Sequence, residues 1–313
     1  MLNASDIWFG YDERTPVLRG VSLAIPDGGI VGILGPNGSG KTTLLRLLAG
    51  TRHPQRGTIT LNGAPLGRFS RAALARRMAV VPQETHLAFD YTVAEVAMMG
   101  RYPHLGAFEI EGPADIEIVE AALAATGTLG LKDRPFGTLS GGEKQRVVIA
   151  SALAQISRDR RIVGDAGIFR LKAEATKSQV AEAPESQAGV GEAPDSREGV
   201  ADETVSGILL LDEPTDSLDL AYQLEIAVLL NDLQARRRVS IVISTHDLSL
   251  AASLCEQIVL IRSGAIIAAG LTDDVLTPAH VQDAYGVDAE IVRHPSGYRA
   301  VVPIRRTRPR SDV

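Results

Sequence analysis

The sequence predicts an α/β fold: a mainly parallel sheet behind a phosphate-binding loop, with an antiparallel β subdomain at the N-terminus and a helical subdomain in the middle. Three observations predict it. Short apolar runs at Ile30–Leu34, Ile208–Leu211 and Val239–Ser244 read as buried strands followed by glycine or polar residues. The first run leads into Gly35-Pro36-Asn37-Gly38-Ser39-Gly40-Lys41-Thr42, which fits G-x-x-x-x-G-K-[ST], and then into the helix-like Thr43–Leu48. Residues from about 92 to 155 look helical.

The remaining elements follow in order. Residues 1–30 alternate apolar and polar, with turn signals at Gly10, Gly20 and Pro26–Gly29, and read as antiparallel strands. Gly57–Leu61 reads as a strand ending in an Asn62-Gly63 turn. Met78–Val81 is a short strand stopped by Pro82. Within the helical stretch, Ile116, Val119, Leu123 and Thr126 fall on one face and Gly127 is a stop. Ile258–Ile261 and Ala265–Ala268 form a hairpin around Ser263-Gly264. Residues from about 157 to 206 stand apart. They carry an imperfect ten-residue repeat, 181–190 and 191–200, rich in Ala, Glu, Gly, Pro and Ser and without aromatics, which reads as a disordered insertion. The tail Arg305-Arg306-Thr307-Arg308-Pro309-Arg310 is basic and reads as a frayed, solvated end.

Bulk properties narrow the function. The formal charge of −6 over 313 residues gives no hint of nucleic acid, and none is expected as a partner. One cysteine, Cys255, excludes an internal disulfide and fits a reducing compartment. No run approaches the roughly 18 apolar residues of a spanning helix, and no secretory signal is expected, so a membrane role would come through a separate chain.

The chemistry starts at the loop. Gly35, Gly38 and Gly40 permit backbone conformations that point N–H groups inward at a phosphate. Lys41 is expected on the β- and γ-phosphates, and Thr42 on Mg²⁺, with Thr43 as a second contact. Asp212-Glu213 follows a buried strand, where Asp212 can hold Mg²⁺ and Glu213 can take a proton from the attacking water. Ser140 and Glu143 make an S-x-x-E capping box. Gly141 and Gly142 cost helix propensity and suggest that an anion approaches the helix N-terminus. Capping box and anion site both stand as readings here.

Leu139-Ser140-Gly141-Gly142-Glu143 beside a phosphate loop resembles the signature of the ATP-binding-cassette ATPases, with Glu143 where that family usually has Gln. The resemblance spans nearly everything except about 157–206 and the extreme C-terminus. It implies that Tyr11 stacks on adenine, that Gln83 links Mg²⁺ and the attacking water to the transporter-facing helices, and that His246 contacts the γ-phosphate. It also implies that Ser217-Leu218-Asp219 crosses a dimer interface, Asp219 contributing to the nucleotide site. Two chains would pack head to tail, with Ser140, Gly141 and Gly142 of one facing the ATP of the other.

The resemblance implies a cassette over residues 1–270, a helical subdomain at about 84–155 and a short extension at 271–313. Thr92–Val96, then Gly100–Gly106, and Gly270–Pro278 with Tyr285-Gly286-Val287 look like the importers of iron chelates, haem and cobalamin. The implied assembly is a homodimer on the cytoplasmic face of the inner or plasma membrane, beneath a separate permease fed by a substrate-binding protein. Arg101, in the stretch that meets the permease, is expected to matter for coupling. The competing readings are an ATPase of another importer class and a soluble, non-transport cassette.

Overall fold

The structure is a computed structural model that describes residues 1–12, 14–85, 87–158, 207–216, 218–235, 239–293 and 299–306. The tandem repeat, Ser217 and the tail beyond Arg306 lie outside the described residues. The chain begins with β1 (Leu2–Gly10), β2 (Pro16–Ile25) and β3 (Ile30–Leu34), then α1 (Lys41–Leu48), β4 (Arg56–Leu61), β5 (Ala64–Pro65), α2 (Arg71–Ala75) and β6 (Met78–Val81). Three helices follow: α3 (Val93–Met98), α4 (Pro113–Ala125) and α5 (Gly141–Ile156). Then come β7 (Gly207–Asp212), α6 (Leu220–Ala235), β8 (Val239–Thr245), α7 (Leu248–Leu254), β9 (Gln257–Arg262) and β10 (Ala265–Leu271). The C-terminal extension adds α8 (Thr272–Val275), α9 (Pro278–Tyr285), β11 (Val287–Arg293) and β12 (Arg299–Arg306).

The central sheet runs β10-β9-β3-β8-β7-β6, parallel except for the antiparallel edge strand β10. Alternation along each strand builds two cores. Ile30, Leu34, Leu209, Leu211, Ile241, Ile243, Ile258 and Leu260 join one core with α3–α5 and with the helices that follow β7 and β8. Val31, Ile33, Ile208, Leu210, Val242, Val259 and Ile261 face α1 and the N-terminal sheet. Burial on both faces explains why these strands read as unbroken apolar runs. The N-terminal sheet runs β2-β1-β4-β5, all antiparallel, with Asn62 and Gly63 in the left-handed region at φ 50° and 78°. A Ser263-Gly264 turn at φ 49° and 81° closes the β9–β10 hairpin. Among the described residues no helix is long and apolar enough to cross a membrane.

The helical layer departs from the sequence reading in three places. Ile116 is exposed, whereas Ile118, Val119, Ala122, Leu123 and Thr126 are buried. Asp115, next to Ile116, is mostly shielded from solvent and pairs with Arg101 at 2.8 Å. Arg101 itself is only 4% exposed and is no surface contact. Its Nη1 donates to the carbonyls of Ala154 and Ser157, each at 2.7 Å, and so ties down the C-terminal end of α5. His104 Nε2 adds a bond to the Gln155 carbonyl at 2.7 Å. Ser157, assigned to the insertion from sequence, is fully buried and ends α5 by bonding Leu153 O through its hydroxyl at 2.7 Å. The C-terminal end also differs: Arg305 is not frayed but sits in β12, paired with Asp288 at 2.7 Å.

Candidate active site

The phosphate loop leaves the C-terminal edge of β3, the middle of the central sheet, and the turns after β7 and β8 emerge at the same edge. Gly40 takes φ 104° at the N-cap of α1, a conformation that disfavours any residue with a Cβ, and it presents the first turn of α1 to the cavity. That cavity has a volume of about 510 Å³ and is lined by Val17, Asn37, Gly38, Gly40, Lys41, Thr42, Thr43, Gln83, Glu213, Asp216 and His246.

Lys41 is buried, and its ammonium donates to the carbonyls of Gly35 at 2.9 Å and Pro36 at 3.3 Å. It also lies 3.3 Å from Glu213 Oε1. Glu213 adopts φ 46°, an unusual position for a residue with a side chain. Two contacts from its N–H to β8 hold it there, one to the Ser244 carbonyl at 3.0 Å and one to the Ser244 hydroxyl at 3.2 Å. The turn points the carboxylate into the cavity between Lys41 and His246, whose Nδ1 is 3.0 Å from Glu213 Oε2. An acid oriented by a neighbouring imidazole and a buried cation can accept a proton from a water held in the cavity.

Asp212, the last residue of β7, accepts from Thr42 Oγ1 at 3.1 Å and Ser244 Oγ at 2.6 Å. Thr42 and Asp212 therefore meet as expected, and a hydroxyl beside a carboxylate is an oxygen-donor set that fits Mg²⁺. Gln83 lines the same cavity, but its amide nitrogen donates to Asp216 Oδ2 at 2.7 Å rather than to this pair. Glu213, Asp216 and His246 place one ligand atom each within 4.8 Å of one another. Tyr11 is half exposed, packs edge-on against Phe9 and shares a 3.3 Å hydrogen bond with Thr43 Oγ1. That bond, against a smaller opposing effect of burial, holds the Tyr11 phenol below its ordinary pKa.

Ser140, Gly141, Gly142 and Asp219 do not line this cavity. Ser140 caps α5: its hydroxyl accepts from Glu143 N at 3.3 Å, and its own N–H donates to Glu143 Oε2 at 2.8 Å. That backbone bond is the main reason the Glu143 carboxyl sits below its usual pKa. Glu143 therefore completes a capping box, as the S-x-x-E spacing predicts. Gly142 has a packing reason as well, because a Cβ there would come within 2.1 Å of the Tyr222 ring. Asp219 caps α6 by accepting from Tyr222 N at 3.0 Å.

Three contributors escaped sequence reasoning. Val17 gives no signal beyond an ordinary strand residue. Asp216 follows Asp212-Glu213-Pro214-Thr215 and could have been marked as a third acid at the same strand end. Ser244, which orients both Asp212 and Glu213, sits in the polar Ser-Thr-His-Asp run after β8 and was legible as a site neighbour but not as a brace.

Comparison with known proteins adds the lineage. The profile of the ABC transporter family matches residues 18–158. The chain is 36% identical over 289 residues to the hemin import ATP-binding protein HmuV of Gloeobacter violaceus, spanning 92% of this chain and 89% of that protein. It is 34% identical over 291 residues to the cobalamin import ATP-binding protein BtuD of Halobacterium salinarum, spanning 93% of this chain and 60% of that protein. A solved metal-chelate type ABC transporter in an inward-facing conformation superposes with TM-score 0.71 at 23% identity, covering 97% of this chain and 96% of that one. A dimeric bacterial ABC transporter cassette superposes with TM-score 0.62 at 22% identity, covering 87% and 99%.

Proposed function

Because the chain belongs to the ATP-binding-cassette transporter family, as an ATP-hydrolysing importer subunit, we propose that it drives uptake of an iron chelate, haem or cobalamin through a separate permease. The observation that carries the chemistry is the convergence of Lys41, Thr42, Glu213 and His246 on one cavity at the strand ends. The import names of the relatives carry the substrate class.

In this reading Gly35, Pro36, Asn37, Gly38, Ser39 and Gly40 wrap the phosphates with backbone N–H groups, and Tyr11 supports the adenine. Lys41 leaves its carbonyl partners and Glu213 to neutralise the β- and γ-phosphates. Thr42, Asp212 and Gln83 would hold Mg²⁺, which would supply charge neutralisation on the phosphate oxygens. Glu213 takes the proton of the attacking water, and His246 keeps Glu213 oriented and faces the γ-phosphate. The capped N-terminus of α5, with Ser140, Gly141, Gly142 and the nearby Asp219, serves the nucleotide of a second copy, so ATP joins two chains and hydrolysis releases them.

The chain then works as a homodimer bound peripherally to the cytoplasmic face of the inner or plasma membrane, with a substrate-binding protein delivering the chelate. Exposed Phe89, Tyr102, Phe108 and Ile110, all in the stretch after Gln83, support that stretch as the permease-facing surface. Glu213→Gln is the sharpest test. Phosphate release should fall by about 10²–10³-fold while ATP binding persists and an ATP-bound dimer accumulates on gel filtration. Near-normal turnover would remove Glu213 from its role. For the substrate class, vesicles carrying the chain with its permease should take up haem, a ferric siderophore or cobalamin when ATP is supplied; uptake of none of them would sink that assignment.

A further inference from the structure

Two helices of the chain start with the same device. At α3, Glu95 Oε2 accepts from the Thr92 N–H at 2.7 Å and from the Thr92 hydroxyl at 2.9 Å, and that hydroxyl accepts from Glu95 N at 3.3 Å. At α5, Glu143 Oε2 accepts from the Ser140 N–H at 2.8 Å and from the Ser140 hydroxyl at 3.0 Å, and that hydroxyl accepts from Glu143 N at 3.3 Å. The residues between the partners differ. They are Val93 and Ala94 at α3, with Val93 fully buried, and Gly141 and Gly142 at α5. A capping box therefore needs no glycine. Gly142 answers to the Tyr222 ring, but Gly141 is exposed, and the nearest atom to a Cβ there belongs to the Leu218 side chain at 3.2 Å.

The first turn of α5 is thus open on the side of Gly141. The N–H groups of Gly141 and Gly142 have no partner within the helix, and a helix of 16 residues places the positive end of its dipole there. Glu143 works against an anion at that end in two ways. Its carboxylate sets a full negative charge beside the N–H groups. It also accepts the hydrogen bond of the Ser140 hydroxyl, which is then not offered to an incoming phosphate. One side chain stabilises the start of the helix and weakens its hold on an anion.

We propose that Glu143 sets how tightly ATP joins two copies of the chain, its carboxylate repelling the γ-phosphate that the first turn of α5 receives from the second copy's nucleotide. The inference rests on the two-chain reading given above and concerns the strength of the join, not its existence. A glutamine at this position keeps the box, because its amide oxygen accepts from the Ser140 N–H, and carries no charge. A weakened join comes apart more readily, which suits a cycle in which the two copies separate after each hydrolysis.

The test measures ATP-driven pairing of the full chain by light scattering over a dilution series, with Mg²⁺ and saturating ATP, in the Glu213→Gln background. Adding Glu143→Gln should lower the dimer dissociation constant about 5- to 10-fold, the range open to one charge at a helix end. That gap should shrink to about twofold or less at about 0.5 M salt, because screening weakens the repulsion. Glu95→Gln removes the matching charge at α3 and should leave the constant within about twofold of the background. An unchanged or raised constant in Glu143→Gln overturns the proposal. So does an equal fall in Glu95→Gln, or a gap that salt leaves intact. If the Glu213→Gln chain forms no dimer while its ATP stays intact, the two-chain reading falls and this inference with it. A dimer whose constant ignores Glu143 sinks the inference alone.

Discussion

The phosphate-loop cavity and the N-terminus of α5 are written in equally recognisable sequence, yet only the first is assembled within the chain. Lys41, Thr42, Gln83, Glu213, Asp216 and His246 line one cavity, and Ser140, Gly141 and Gly142 stand outside it. Strand spacing accounts for the contrast. Neighbouring parallel strands lie about 4.8 Å apart, so residues just past the ends of β3, β7 and β8 are neighbours by construction. The aim of a helix has no such guarantee and follows from what it packs against. For α5 those contacts are the buried Arg101 and His104 bonds to its C-terminal end and the close approach of Gly142 to Tyr222. The lesson is that one motif is rigidly built at strand ends while the other is held on a helix away from it, which is the arrangement the proposed two-chain site requires.

The most forceful way to break that comparison is complementation. Lys41→Ala and Ser140→Arg should each lower ATP hydrolysis by about 10²–10³-fold on their own. Mixed and allowed to exchange, they form dimers with one intact composite site, and activity should return to roughly a quarter of the parental value. A mixture no better than the sum of its parts would mean that both half-sites serve the same chain.

A second test loosens the helical half alone. Arg101→Glu places a carboxylate against Asp115 and the carbonyls of Ala154 and Ser157 in a buried site. Breaking such a pair should cost about 3–5 kcal/mol in denaturant unfolding. ATP affinity of the residual folded protein should change little, because the strand-end cavity does not depend on Arg101. A stable Arg101→Glu protein that hydrolyses ATP but fails only in transport would restore the surface-contact role expected from sequence.

The smallest effect comes from pH. Burial lowers the His104 pKa below the usual 6.5, with the Gln155 carbonyl opposing and Arg101 assisting. The folded state thus prefers neutral His104, and below about pH 6.5 the unfolded chain binds more protons. Stability is full above that pH and declines as the pH falls below it toward the lowered folded-state pKa. In His104→Gln, which keeps a donor for the Gln155 carbonyl, the decline should be shallower when melting temperatures are compared across the range. An identical slope would show that His104 does not titrate in this way.

Much of the site was legible because its geometry is local. The loop Gly35–Thr42, the acids ending β7 and the His246 turn need only a strand, a turn and the residue after it. Arg101 was misread because a charged side chain in a polar stretch looks solvent-facing until its carbonyl and carboxylate partners are known. The doublet Gly141-Gly142 suggested close approach by an anion, while the neighbour that forbids a Cβ at Gly142 is Tyr222. Tyr285 was visible only as part of a C-terminal resemblance, since nothing near it in sequence shows that its ring packs on the core and its hydroxyl is buried.

By itself, then, the sequence determined the strand order of chemistry: a phosphate loop, an acid pair and a histidine at successive strand ends, together with a capped helix start that carries two glycines. Those features depend on backbone conformation and on residues a few positions apart. The tertiary structure alone decided which groups are buried, which helix face turns inward, and which distant segments share a hydrogen-bonding partner. Burial and desolvation belong to the packed assembly rather than to any stretch of chain, so Arg101, Gly142 and Tyr285 acquire their meaning only when the layers close around them.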